Sequence, residues 1–186
     1  MTGTRTRVLV EMALSIGLAW VLARFAVFRM PNGGTISLNM LPLFVFALRR
    51  GLKPGLVAGA LYGLLDLTVD PYIFNWAQVL LDYPLAYMMI GAAGALSPLW
   101  RRAVERGTMG RAVWTVAVPA IVLGSVLRFA MHFWSGVVFF ASFAGNQPVW
   151  LYSAVYNLSY VGPSLLLCAA AAVAVLPTLE KAVPAR

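Results

Sequence analysis

AVWTVAVPAIVLGSVLRFAMHFWS, residues 112–135, decides the fold. The run exceeds the ~20 apolar residues that carry a helix across a bilayer, yet it contains Arg128 and His132, the latter being the only histidine. A charge facing lipid near the bilayer centre costs at least ~2.5–3.5 kcal/mol. Such residues therefore face a protein interior or a wet cavity. The same reasoning applies to Asp66, and to Asp82 in the run Gln78-Val79-Leu80-Leu81-Asp82-Tyr83-Pro84-Leu85-Ala86-Tyr87.

Composition generalises the point. Of 186 residues, 61% are hydrophobic and only 11% charged, whereas a soluble domain carries about a quarter charged residues. That excess of apolar surface implies an integral membrane protein, predicted as one transmembrane domain over 1–186. Six segments follow, near 8–28, 37–48, 54–70, 76–100, 112–135 and 149–177. The second is short and holds Pro42, so it is expected to be bent, tilted or partly embedded. The fifth apolar run continues to Ala144, longer than one crossing needs, so its helix is predicted to end near Gly136 and to lead into a structured loop. Met1 to Arg7 is basic and precedes an apolar run, as in a signal peptide. The run from Val8 to Phe28 is long enough to span and ends without a small-residue cleavage site, so it is read as a retained first helix.

The net charge of +8 does not mark a nucleic-acid binder, because the basic residues sit at segment ends and are not interleaved with stacking aromatics. Arg5 and Arg7 precede the first segment. Arg49, Arg50 and Lys53 join the second and third, Arg101, Arg102, Arg106 and Arg111 the fourth and fifth, and Lys181 and Arg186 follow the sixth. The positive-inside rule then predicts an all-α protein of six transmembrane helices with both termini cytoplasmic. The outer loops, near 29–36, 71–76 and 136–148, are rich in Gly, Pro, Asn and aromatics. The single cysteine, Cys168, excludes an internal disulfide and any multi-cysteine metal site.

Small residues recur at four-residue spacing, which lets helix backbones approach closely. Gly55, Gly59 and Gly63 form a stripe read as internal packing. Ala13 with Gly17, and Ala19 with Ala23, form two more on the first helix, where a docking surface for another membrane protein stands beside internal packing and the sequence does not say which stripe would face the partner.

Polar and aromatic residues also align by the three-and-four rule. Val79, Asp82, Tyr83, Ala86 and Tyr87 share a face of the fourth helix, and Arg128, His132, Ser135 and Gly136 one of the fifth. Ser153, Tyr156, Asn157, Tyr160 and Ser164 do so on the sixth, with Tyr152 on the flank. Converging in the outer half of the membrane, these stripes would make an aromatic-walled pocket with a few directed polar groups, the usual chemistry of a small-molecule site. The competing reading is a buried Asp82–Arg128 bridge with the other polar groups as interhelical hydrogen-bond glue. Asp66 lies near the outer end of the third helix and is read as an interfacial or packing residue that meets only water or its helix neighbours there. Catalysis has thin support. No Gly-x-Ser-x-Gly elbow, His-Glu-x-x-His motif or second histidine accompanies His132, Ser135 or Cys168, and no phosphate-binding loop is present. No metal and no cofactor are expected.

Several of these motifs, in this order, resemble a known family. Arg50-Gly51-Leu52-Lys53-Pro54-Gly55-Leu56 with Gly59, Tyr62 and Gly63 comes first, then Gln78 with Leu81-Asp82-Tyr83-Pro84-Leu85-Ala86. Arg128-Phe129-x-x-His132-x-x-Ser135-Gly136-x-x-Phe139-Phe140 and Tyr152-Ser153-x-x-Tyr156-Asn157 complete the set. Together they are similar to the thiamine-specific substrate-binding subunits of energy-coupling factor transporters. The resemblance implies a six-helix vitamin-binding protein of the prokaryotic cell membrane, working with a transmembrane coupling subunit and two cytosolic ATPases. It carries binding positions to Asp82, Tyr83, His132, Gly136, Tyr152 and Asn157. Phe140 and Tyr156 are expected as further walls, with Arg128 as a supporting charge that neutralises an acidic side chain or meets a phosphate or loop carbonyl. Two positions differ, since the family can hold Glu at Asp82 and Trp at Phe140. The loop Met30–Ile36 also lacks a tryptophan that some members carry. A related subunit for another vitamin or heterocycle is the alternative, with a small membrane enzyme the more distant one.

Overall fold

The structure is a computed structural model that describes residues 2–68 and 71–183. Arg186, counted above among the basic residues, lies outside them. Six helical rods follow the expected order: α1 (Thr2–Arg24), α2 (Met40–Arg50), α3 (Leu52–Leu67), α4 (Trp76–Glu105), α5 (Met109–Phe139) and α6 (Val149–Ala182). Four of them, α1, α4, α5 and α6, are long and apolar enough to cross a membrane. With its 11 residues, α2 spans about 16 Å at ~1.5 Å per residue, against a hydrocarbon core of ~30 Å. Pro42 sits in its first turn, where the missing N–H costs nothing.

The second rod is short because the chain before it stays non-helical inside the bundle. A two-stranded antiparallel ribbon, β1 (Phe28–Arg29) and β2 (Thr35–Ile36), follows α1. Its tip turns on Gly33 and Gly34, both with positive φ, a region glycine occupies without strain. Ser37 and Asn39 then run buried. Ser37 N–H donates to Ser164 Oγ (3.3 Å), and Asn39 Nδ2 donates to the hydroxyls of Tyr62 and Tyr87 (both 3.1 Å). Irregular backbone at membrane depth is tolerated where protein satisfies it. Beyond Asn39, α2 is apolar nearly all round (Met40, Leu43, Phe44, Phe46, Ala47 and Leu48 are buried) and forms the centre of the core.

Gly51, with φ +99°, is the whole connection between α2 and α3. The glycine stripe on α3 packs internally, as expected. A Cβ on Gly59 would strike the Tyr87 carbonyl, one on Gly63 the Tyr83 carbonyl, and one on Gly55 would come within 2.9 Å of the Gly91 carbonyl. Three glycines thus let α3 lie backbone to backbone on α4.

Helix α1 is peripheral, and its two small-residue stripes part company. Ala13 and Gly17 are exposed, and a Cβ at Gly17 would meet nothing within 4 Å. Ala19 is fully buried in the core and Ala23 is buried against the cavity described below. The docking expectation is therefore corrected for Ala19 and Ala23, whose surfaces are already covered by the chain itself.

Candidate functional site: an aromatic cavity at one end of the bundle

One cavity of about 340 Å³ opens among the loop ends of α1, α3, α4, α5 and α6, within the ~300–1,000 Å³ typical of small-molecule sites. Asp82, Tyr83, Arg128, His132, Gly136, Phe140, Tyr152, Tyr156 and Asn157, all expected at a site, line it together.

The start of α4 is shaped for this. Asn75 caps the helix through Ala77 N–H (2.9 Å), and Gln78 Oε1 accepts from the backbone N–H of Phe74 (3.0 Å) and of Asn75 (3.4 Å). The other end of the same amide donates to Tyr72 O (3.1 Å) and to Asp82 Oδ2 (2.7 Å). One turn on, Leu81–Leu85 forms a π-turn around Pro84. Proline has no N–H to give, and the next helical bond runs five residues back, from Ala86 N–H to Leu81 O. Such widened turns recur at functional sites. Here the turn carries Asp82 and Tyr83 into the cavity.

Asp82 is the best-connected group on the floor. Oδ2 accepts from Ser135 Oγ (2.8 Å) as well as Gln78, and Oδ1 lies 2.9 Å from His132 Nδ1. The opposite ring nitrogen, Nε2, accepts from Arg128 Nε (3.2 Å). An acceptor at Nε2 requires the proton at Nδ1, so His132 is the neutral tautomer that donates to Asp82. Arg128 does not pair with Asp82, so the structural-bridge reading fails. Its guanidinium lies over the Tyr87 ring, 4.2 Å from the centroid, and orients His132. The arrangement is a chain, Arg128 to His132 to Asp82.

Asn157 and Gly136 hold the walls together. A Cβ on Gly136 would overlap Ser153 Oγ and crowd Asn157. Asn157 Nδ2 donates to Ser153 O (2.9 Å) and His132 O (3.3 Å), while its Oδ1 accepts from Tyr160 (2.7 Å). Its amide is committed to the α5–α6 seam. Tyr152, Tyr156 and Tyr160 line the α6 side in succession, with ring centroids 5.8 and 6.1 Å apart. Phe140 stacks on Tyr72 across the mouth (5.9 Å). The Tyr156 hydroxyl accepts from Asn32 N–H (2.9 Å) and donates to Gly33 O (3.0 Å), so it holds the ribbon tip.

Two further lining residues, Gln78 and Tyr72, have no site role in the sequence reading. Gln78 had a signal in the capping pattern Asn75-x-x-Gln78. Tyr72, whose N–H donates to the Tyr83 hydroxyl (2.7 Å), had none. Asp66 is corrected from an interfacial or packing residue to one that lines the cavity, half-buried and accepting from the Tyr62 hydroxyl (3.2 Å). Helix α5 reaches Phe139, three residues past the expected end, and a 3₁₀ turn (Ala141–Ala144) follows as the structured loop.

A family model described as thiamine transporter protein (Thia_YuaJ) matches residues 9–183. The chain belongs to this family. Within the thiamine transporter family it is similar to the thiamine transporter ThiT of Bacillus subtilis, at 42% identity over 75% of this chain and 73% of that protein. The thiamine transporter ThiT of Lacticaseibacillus paracasei is 32% identical over 66% and 63%. A solved structure of ThiT from Listeria monocytogenes, 28% identical, superposes with a TM-score of 0.79 and covers 97% of this chain and 96% of that one. Family and fold agree on a multi-pass membrane protein.

Proposed function

We propose that this chain captures thiamine in the cavity as the substrate-binding subunit of an energy-coupling factor importer. The cavity then faces outward and both termini lie in the cytoplasm, an orientation supported by the basic residues gathered at the opposite end of the bundle. The observation that carries the reading is the state of Asp82. A carboxylate offers about four acceptor sites, and Gln78, His132 and Ser135 account for three. One remains for a ligand, inside an enclosure of tyrosine and phenylalanine rings. Thiamine fits that chemistry. Its aminopyrimidine has an amine to donate, and its thiazolium cation is drawn to desolvated aromatic faces by ~2 kcal/mol or more.

Roles follow from position. Asp82 meets the amine or the cation, and Tyr83, Phe140, Tyr152 and Tyr156 are walls. His132 lies beside Asp82 as a ligand contact, oriented by Arg128. Asn157 and Gly136 keep α5 and α6 at the spacing the ligand needs. No covalent step is called for. Ser135, His132 and Asp82 are neighbours, but the serine donates to the aspartate and Arg128 occupies the outer imidazole nitrogen. A hydrolytic triad would need that nitrogen to face the serine. The coupling subunit would dock on the exposed Ala13–Gly17 face of α1, with two cytosolic ATPases behind it.

Titration of the purified chain tests the proposal. Saturable thiamine binding without product is expected. Saturation by riboflavin or biotin but not by thiamine would overturn it.

A further inference from the structure

At the end of the bundle away from the cavity, the arginines fall into two groups. Arg49 meets Glu180, and Arg7 and Arg50 meet Glu11, so those charges are neutralised within the protein. Arg102, Arg106 and Arg111 are exposed, and among the described residues none of their side chains meets a carboxylate. Arg102 and Arg106 stand one turn apart near the end of α4, where like charges repel, and Glu105 is the single acid between residues 97 and 115. Gly107, with φ +69°, reverses the chain, and Thr108 N–H and Oγ1 both donate to Ala103 O (2.9 and 3.2 Å). The last turn of α4 and the first of α5 are thereby held together. The positive-inside pattern explains why arginines gather at this end, but not why three of them stay unneutralised beside one another.

Below Arg111, toward the middle of the bundle, α5 carries an apolar trough lined by Trp114, Val118, Pro119, Val122, Leu123 and Val126. Its shape begins in the sequence. Pro119 has no N–H to give, and Val118 N–H bonds five residues back to Val113 O, making a π-turn over Val113–Ala117. A turn of that kind keeps residues four or five apart on one face, so Trp114 stays in line with Val118 and Pro119. From Trp114 to Val126 the helix rises about 18 Å at ~1.5 Å per residue, the reach of one leaflet of a ~30 Å hydrocarbon core. Trp114 is 63% exposed, and its indole N–H has no partner among the described residues. An apolar ring with one free donor suits the boundary between headgroups and chains.

We propose that the α4–α5 turn and the trough beneath it form a binding site for one anionic phospholipid. Arg111 and Arg106 hold its phosphate, Arg102 adds charge, and an acyl chain lies along Trp114 to Val126. The inference rests on residence in a membrane and not on the identity of the cavity's ligand. Every transmembrane helix shows lipid an apolar face; this one is capped by three unneutralised guanidiniums and a free indole donor. A guanidinium offers a phosphate two parallel N–H groups. A zwitterionic headgroup brings its own cation, which the same cluster repels, so the site selects lipids of net negative charge.

Native mass spectrometry of the full chain, titrated with phosphatidylglycerol or with phosphatidylcholine of the same acyl chains, tests the site. The wild type is expected to retain one phosphatidylglycerol about tenfold more tightly than phosphatidylcholine. R106Q/R111Q should erase that preference and leave phosphatidylcholine retention as it was, while R106K/R111K, which keeps the charge, should recover part of it. Trp114→Ala should weaken both lipids alike, since it removes the part of the site they share. Equal retention of the two lipids by the wild type would overturn the proposal, as would a preference that survives R106Q/R111Q. Displacement of the lipid by glycerol 3-phosphate at comparable concentration would make the arginines a site for free phosphate, and the proposal falls. It falls too if the wild type forms a lipid-free dimer that Trp114→Ala dissociates, because the face then belongs to a second copy of the chain.

Discussion

The two ends of the bundle each bury a carboxylate beside a basic side chain, and they do opposite things with it. At the end away from the cavity, Arg49 Nη1 lies 2.9 Å from Glu180 Oε1, with side chains 5% and 0% exposed. Trp100 Nε1 donates to the same oxygen (3.1 Å), and Arg49 Nη2 donates to Val183 O (2.7 Å). The pair lies between α2, α4 and α6, which seal it from solvent. At the other end, Asp82 and His132 are 15% and 9% exposed and stand at the edge of open space. The lesson is that a buried charge does not by itself mark a binding site. What distinguishes the two is whether the carboxylate is sealed between helices or stands with an acceptor facing a cavity.

The comparison breaks most decisively at Glu180. Removing one partner of a buried pair strands the other and costs ~3–5 kcal/mol. Glu180→Gln should therefore lower the thermal midpoint of the ligand-free protein further than any change at the cavity end, while the folded fraction keeps its thiamine affinity. Collapse of affinity at an unchanged midpoint would mean that the two ends are not independent. Asp82→Asn should give the mirror image. Truncating a hydrogen-bonded charge at an interface costs ~2–5 kcal/mol of binding, read as a fall in affinity of at least about thirtyfold. The loss of stability should be the smaller effect, since an amide still accepts from Ser135 or Gln78. Unchanged affinity would remove Asp82 from the site.

The cavity end is largely legible in the residues alone, whereas nothing in the sequence reading pairs Glu180 with Arg49. Asp82, His132 and Asn157 each fall three or four places from an aromatic or polar neighbour, and helical periodicity carries such patterns into one wall. The long apolar runs likewise placed α4, α5 and α6 within a few residues, apart from frayed ends such as Val149–Ala182, which continues past Pro177. Tertiary bonds were beyond reach. Ser37 and Asn39 stay non-helical because Ser164, Tyr62 and Tyr87 bind them, and nothing local to residues 37–39 encodes those partners. Asp66 looked interfacial because hydropathy measures depth along a helix, not which way a face turns. Ala13–Gly17 and Ala19–Ala23 have the same spacing and the same small side chains. Only packing tells them apart.

That last pair of stripes suggests a milder test on the backbone contacts. Gly59→Ala would drive a Cβ into the Tyr87 carbonyl, and overpacking of this kind costs ~1–3 kcal/mol. The shift would also move Tyr87, whose ring supports Arg128, so a modest loss of thiamine affinity should accompany the lower midpoint. Gly17→Ala meets nothing within 4 Å and should leave both unchanged. A large loss of stability at Gly17 would show that this face of α1 is covered in the isolated protein, contrary to the division of the two stripes.

The smallest expected effect probes how the cavity end stays closed. Tyr156 contributes its ring to the aromatic wall and its hydroxyl to the ribbon tip, through Asn32 N–H and Gly33 O. Tyr156→Phe keeps the ring and removes both bonds. A hydrogen bond of this kind is worth ~0.5–1.5 kcal/mol net, and the ribbon lies at the rim, where water replaces part of what is lost. Thiamine should therefore dissociate several-fold faster, with little change in association rate or thermal midpoint. Tyr160→Phe makes the contrast. Its hydroxyl serves Asn157 in the buried α5–α6 seam, so its loss should register in the melting curve. If Tyr156→Phe instead slowed association and left dissociation alone, the ribbon would be acting as an entry barrier and not as a clasp. Asn32 and Gly33 would then belong with the rim rather than with the walls of the site.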